Sequence, residues 1–287
     1  MTPDRDTAAR ELLAFYLEAG VDALVGEKPV DRFAGDKSSE TARPMVRDAG
    51  RSRAPHHEAA RNPRHEERSA GSRLEGRAPT AVAPPSPDAA AMAAREAVKN
   101  IGTLEELRAA LDVFTGCALK GTAKQLVFAD GNPQSKLMFV GEAPGRDEDI
   151  EGLPFVGRSG KLLDRMIAAI GLDRANVYIA NIIPWRPPGN RTPTPQESQI
   201  CLPFIQRQIE LANPDILVCL GGPSAQTLLG IKEGITKSRG RWFNYHTGTR
   251  EIRAMATFHP AFLLRSPLQK RLAWRDFLAI KKALDAL

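Results

Sequence analysis

Four short apolar runs punctuate the second half of this chain: Leu137–Val140, Val177–Asn181, Ile216–Leu220 and Ala254–Phe258. Runs of four or five apolar residues bounded by Gly, Pro and Asn read as buried strands. Between and after them the spacing turns helical, over Lys161–Ile170, Gln196–Ala212, Ser224–Leu229 and Lys270–Leu287. Upstream, Thr103-Leu104-Glu105-Glu106 has the pattern of a capping box and opens a helix over Leu104–Phe114, with Leu107, Ala110 and Leu111 facing inward. A polar stretch about Gly240–Arg253 reads as a β-ribbon. Strands alternating with helices predict an α/β fold, a parallel sheet covered on both faces.

The first ninety residues follow other patterns. Asp4–Ala19 reads as a short amphipathic helix with Leu12, Phe15, Tyr16 and Ala19 on one face and Gly20 as its cap. Val21–Phe33 stays apolar without a clear period, and the pair is expected to dock on the main domain or on a partner. From Ala34 to about Ala90 there is no aromatic residue and no isoleucine, and ten Lys and Arg stand against eight Asp and Glu. Such a segment cannot bury enough apolar surface to offset its chain entropy, so it is expected to be a disordered linker, with His56, His57 and His65 solvated. The expected organisation is a helical segment 1–33, a linker 34–90 and a folded domain 91–287.

Charge and cysteines narrow the picture a little. The net charge of +6 and a pI near 9.4 favour a polyanionic partner. No apolar run approaches the ~18 residues of a membrane span, and MTPDRDTAAR lacks the layout of a secretory signal. Cys117, Cys201 and Cys219 are odd in number and far apart, which argues against a disulfide framework and fits a reducing cytoplasm.

The candidate chemistry sits just past the apolar runs, where open α/β sheets present their sites. Leu137–Val140 ends in Gly141-Glu142-Ala143-Pro144-Gly145, followed by an acidic patch and Pro154-Phe155-Val156-Gly157. The glycines lack the spacing of a dinucleotide fingerprint or a P-loop, so nucleotide binding of that type is not indicated. Glu142 is a costly residue for a tight turn unless it has a task. Phe155 reads as core or as a stacking face for a base, and Asn181 as a loop cap or as a partner for a nucleobase edge. Pro184–Pro195 is a rigid loop carrying Arg186, Asn190 and Arg191, whose guanidiniums can meet phosphates. Ala254–Phe258 runs into His259-Pro260-Ala261-Phe262-Leu263-Leu264-Arg265, a histidine followed by an apolar tip able to wedge into a base stack and by an arginine.

Together these blocks resemble the type-4 uracil-DNA glycosylases of the uracil-DNA glycosylase superfamily. GEAPGRDED, GLPFVGRSGKLLDRM, VYIANIIPWRPPGNRTPTPQE and FHPAFLLR match that family's motifs in order, over roughly 170 residues from about Leu119 to the C-terminus. The resemblance implies a three-layer α/β/α sandwich with a central, mostly parallel four-stranded sheet. It implies a monofunctional enzyme that releases uracil from DNA, acting alone in the cytoplasm, at the nucleoid. By the same carry-over Phe155 stacks on the extruded base, Asn181 bonds its edge, His259 donates toward O2, and Ala143 and Asn190 line the pocket. Glu148 lies near C5 and excludes a thymine methyl, while Glu142 holds the turn and water. Arg186, Arg191, Leu263, Leu264 and Arg265 contact DNA.

One departure stands out. The type-4 enzymes hold a [4Fe–4S] cluster on four cysteines. Here Cys117 and Cys201 match the first and last positions, whereas Lys120 and Trp185 replace the second and third. Two thiolates do not hold a cubane cluster, so no cofactor is expected and Trp185 should fill the space. Two other readings stay open: a uracil- or abasic-DNA binding protein with little turnover, and a nucleotide-binding α/β protein unrelated to DNA. No inserted basic loop lies between Gly145 and Asn181, which disfavours a covalent trap.

Overall fold

The computed structural model describes residues 86–287, and the compact unit spans Ala83–Leu287. The expectations for residues 1–85, including the helix over Asp4–Ala19 and His56, His57 and His65, lie outside the described residues. Helix α1 (Pro87–Val98) starts inside the stretch expected to be linker, because Ser86 caps it and Pro87 occupies the first turn. Helix α2 (Leu104–Val113) opens with the anticipated capping box, Thr103 and Glu106 each bonding the other's backbone N–H.

The remaining elements alternate: β1 (Asp130–Gly131), β2 (Leu137–Gly141), α3 (Arg146–Glu151), α4 (Arg158–Ala168), β3 (Tyr178–Asn181), α5 (Pro195–Ala212), β4 (Ile216–Leu220), α6 (Gly222–Leu229), α7 (Ile235–Ser238), β5 (Trp242–His246), β6 (Glu251–Thr257), α8 (Pro260–Arg265) and α9 (Lys270–Leu284). The sheet runs β1-β3-β2-β4-β6-β5. Its four inner strands are parallel, as the four apolar runs predict, with Met138 opposite Tyr178 and Val218 opposite Met255. The sheet has six strands rather than four. The polar stretch expected as a separate ribbon instead feeds β5 and the start of β6, an antiparallel pair on one edge, and β1 adds antiparallel to β3 on the other. Edge strands are half-solvated, so they carry no continuous apolar run to reveal them.

Both faces of the sheet are covered. Along β2, Leu137 and Phe139 point into a core shared with Leu163 and Ile167 of α4 and with Phe277 and Ile280 of α9. Met138 and Val140 point the other way, into a core with Leu107 of α2, and Phe204 and Ile209 of α5. The period of two persists inside a run apolar throughout, which is what a strand buried on both faces requires. All four parallel strands end at the same edge, and the loops that follow them converge there.

Candidate active site

A cavity of about 600 Å3 opens at the carboxyl ends of the parallel strands. The loop after β2 brings Glu142 and Ala143, β3 ends in Asn181, the loop after β4 brings Gly221 and Pro223, and β6 leads into His259. Phe155 and His259 face each other there, ring centroids 5.4 Å apart and planes 30° from parallel. Phe155 and Asn181 are both buried. Gly141 makes their approach possible. A Cβ on it would lie 2.4 Å from Asn181 Oδ1 and 2.7 Å from the Phe155 ring, so any side chain would evict one or the other. In the parallel ladder Gly141 sits directly opposite Asn181.

Asn181 Oδ1 is fully buried and has no hydrogen-bond partner among the described residues. A buried acceptor left unmade costs about 1–3 kcal/mol, a cost relieved by any ligand that brings an N–H. Beside it His259 caps α8, its Nδ1 accepting from the backbone N–H of Ala261 at 3.0 Å. An imidazole whose Nδ1 accepts carries its proton on Nε2. Burial, helped by the positive charge of Arg265, lowers the His259 pKa from 6.5 to about 4. The ring is therefore neutral at physiological pH and presents Nε2–H as a donor without being an acid.

Phe155 holds an uncommon backbone, φ 56°, and its surroundings enforce it. Arg174 donates from Nη1 to the Pro154 carbonyl at 3.1 Å and from Nη2 to the Phe155 carbonyl, while its Nε bonds Asp164 at 2.8 Å and Nη1 pairs with Asp130. Gly160 lets that carbonyl pass, since a Cβ there would sit 1.7 Å from the Phe155 oxygen. Strained backbone of this kind persists where neighbours over-determine it. Arg174 lies far along the chain from the motif it supports, and only its place in the turn before β3 hints at a task.

The two carboxylates of the first motif depart from expectation in one respect, which of them holds the turn. Glu148 holds the turn: Oε2 accepts from Gly145 N at 3.0 Å, and Oε1 from Val156 N at 3.1 Å and Gly157 N at 3.0 Å. A carboxylate accepting from three backbone donors ties α3 to the Phe155 loop, and Glu148 also lines the cavity. Glu142 makes no side-chain bond among the described residues and lines the cavity, its pKa raised by desolvation. The turn-holding assigned to Glu142 thus belongs to Glu148, and Glu142 is the carboxylate available to a ligand.

Other expected residues divide. Ala143, Asn190, Arg191 and Arg265 line the cavity and its mouth. Asn190 is exposed at the rim, where its Oδ1 accepts from Arg186 Nε at 2.6 Å. Arg186 is spoken for by that bond and by Asp149 at 3.8 Å, and Arg191 by both oxygens of Glu197. Leu263 is a correction. At 1% exposure it packs with Phe258 and Ala273 in the core, because the helical turn of α8 points it inward. Leu264, one residue on, is exposed and is the side chain left to wedge. The Gly221-Gly222-Pro223 turn was missed as cavity wall, although its apolar-run-then-Gly layout repeats that of Gly141.

The cysteine corner lies apart from the cavity lining. Cys117 and Cys201 are buried with their sulfurs 3.9 Å apart. Lys120 turns its ammonium onto the carbonyls of Leu111, Asp112 and Phe114, closing the end of α2, and lies 5.9 Å from the Trp185 ring centroid. Trp185 is 2% exposed and part of the core. Among the described residues no three His, Cys, Asp or Glu side chains gather as metal ligands. Two thiols beside an ammonium and an indole do not fit a four-cysteine cluster.

The pH dependence follows from the two perturbed groups. A site needing neutral His259 and ionised Glu142 loses activity as pH falls, first through the raised Glu142 value and then near pH 4. We expect a kcat/KM profile without a histidine inflection at 6.5, and a Glu142→Gln variant whose acid limb moves toward 4. An inflection at 6.5 in that variant contradicts the buried imidazole. Stability moves the same way: the His259 pKa is depressed on folding, so its contribution is whole above 6.5 and is lost as pH falls toward 4.

Comparison with known proteins agrees with this geometry. The profile of the Uracil DNA glycosylase superfamily matches residues 128–278. The type-4 uracil-DNA glycosylase of Thermotoga maritima is 43% identical over 153 residues, 53% of this chain and 78% of that one. Those of Saccharolobus solfataricus and Archaeoglobus fulgidus are 41% and 40% identical over 175 and 168 residues, covering 59% and 57% of this chain and 81% and 84% of theirs.

Proposed function

This chain belongs to the uracil DNA glycosylase superfamily, and from that membership we propose that it is a uracil-DNA glycosylase of DNA repair. It hydrolyses the bond between uracil N1 and the sugar C1′, releasing the base and leaving an abasic site. The observation that carries the reading is Asn181: a buried oxygen without a donor, beside Phe155 and His259 in one cavity. Uracil supplies the missing donor at N3–H, and cytosine has no hydrogen there.

In the proposed sequence the flipped base lies against Phe155, its N3–H on Asn181 Oδ1 and its O2 facing His259 Nε2–H. As the N1–C1′ bond breaks, the bonding pair stays with uracil as an anion spread over N1 and O2, which the neutral imidazole steadies by hydrogen bonding. A preorganised donor in a dry site contributes several kcal/mol to such a step. Water adds to the cationic C1′ and gives its proton to the Glu142 carboxylate. No lysine lines the cavity, so no amine is in position for a Schiff base and strand cleavage is not expected. Extrusion costs a few kcal/mol, offset by stacking on Phe155 and by Leu264 filling the vacated place.

The decisive assay is release of free uracil from a uracil-containing oligonucleotide. Alkali-labile sites and free base are the expected result. A stable gel shift without base release would instead assign a binding protein with little turnover.

We further propose that the enzyme works without an iron–sulfur cluster, the Lys120–Trp185 contact holding the corner that a cluster would brace. Protein purified without oxygen should show no iron and no visible absorption yet release uracil. Stoichiometric iron would refute the proposal. We further propose a monomer, and a cytoplasmic location, since three cysteines, odd in number and far apart along the sequence, fit a reducing compartment. Among the described residues no helix is long and apolar enough to cross a membrane.

A further inference from the structure

Behind the wedge helix α8 lies a second depression, an apolar notch of about 190 Å3 between α4 and α9. Its floor is Met166, Leu263 and Phe277, and Trp274 stands at its lip, 42% exposed. Helix α4 begins at the rim of the active-site cavity, and α9 is tied to that cavity through α8. Ser159 of α4 lines that cavity, and α9 follows α8 after a single short turn.

The outer faces of these helices are strongly basic. Arg158, Lys161 and Arg165 project from α4, and Lys270, Arg271 and Arg275 from α9; among the described residues none of them enters an ion pair. The only carboxylates on the two helices are paired with arginines of other elements, the half-exposed Asp164 with Arg174 and the buried Asp276 with Arg239. Of these unpaired cations Arg165 and Lys270 line the notch beside the exposed indole, and the notch is continuous through Leu263 with the helix that carries Leu264. An exposed aromatic among free cations is the pattern of a single-stranded nucleic-acid surface.

We infer that this face is a second DNA contact surface. It takes the strand flanking the uracil, with phosphates on the α4 and α9 cations and one unpaired base stacked at Trp274. The inference rests on the glycosylase reading, since it needs DNA at the cavity mouth. It adds a preference for a substrate with an unpaired flank, which the pocket residues do not encode.

The test uses the full chain, a long uracil-containing single strand, the matching duplex and a very short uracil oligonucleotide. Lys270→Ala/Arg271→Ala/Arg275→Ala should weaken binding of the long strand about tenfold and lower the slope of log affinity against log salt by about 2, from ~0.7 per lost phosphate contact. Its kcat on the saturating short oligonucleotide should match the parent. Trp274→Ala should weaken binding of the long single strand about tenfold and leave the duplex unchanged, and Trp274→Phe should restore it. An unchanged salt slope in the triple variant, or equal losses on single strand and duplex in Trp274→Ala, overturns the inference. So does a dimer that Trp274→Ala dissolves, which would give the notch to a second copy. If the parent releases no uracil at all, the glycosylase reading fails instead, whatever the variants do.

Discussion

Replacing His259 with alanine lowers the rate of uracil release by roughly 10²–10³-fold, the loss typical of one preorganised donor to a developing oxyanion. The loss should fall on kcat, because the donor matters most when the leaving base carries charge. Substrate affinity should change little, since Phe155 and Asn181 are untouched. His259→Gln, which keeps an N–H near the same place, should recover part of the rate if the amide reaches O2. The fold should tolerate the change: His259 caps a short helix, and only one bond, to Ala261 N, is lost. Single-turnover rates on a uracil oligonucleotide decide the matter. A variant as fast as the parent would remove the imidazole from the chemistry and leave the anion without a donor.

Glu148→Ala should be destabilising before it is anything else. The carboxylate satisfies the backbone N–H groups of Gly145, Val156 and Gly157, and Gly157 is buried. The one buried donor, Gly157 N, costs about 1–3 kcal/mol when unpaired and the two half-buried ones add less, so the variant should lose roughly 3 kcal/mol. For a domain of this size that lowers Tm by roughly 10 °C. Glu148→Gln keeps one acceptor oxygen and should lose less. Denaturation of the two variants, read beside their uracil release, separates this from a direct chemical role. Full stability in Glu148→Ala with activity abolished would make the role of Glu148 chemical and take the turn-holding from it.

The turn-holding carboxylate shows where sequence reasoning stops. Glu142 and Glu148 are six positions apart in one motif, and residue type alone does not say which turns inward. The capping geometry of α3 decides it. Glu148 is third in the helix and folds back on the Gly145 N–H, whereas Glu142 precedes the turn and is left facing the cavity. Leu263 and Leu264 make the same point. Both read as an apolar tip, but a helical step of about 100° places one in the core and the other in solvent.

Much was legible without the fold. Four parallel strands, their covering helices and the capping box over Thr103–Glu106 follow from hydrophobic period and from local hydrogen bonding, which act over a few residues. Asn181 and His259 could be picked out because each ends or follows an apolar run, and Phe155 because it is an aromatic in the Pro/Gly loop beyond the first of them. Those properties the linear order of residues determined by itself. That the three side chains share one cavity, that Arg174 pins the Phe155 carbonyl, and that Lys120 and Trp185 close the cysteine corner were settled only by the tertiary structure. The physical reason is range. Strand and helix are chosen by neighbours along the chain, whereas a site is made by groups tens of residues apart, which chain packing alone brings within bonding distance.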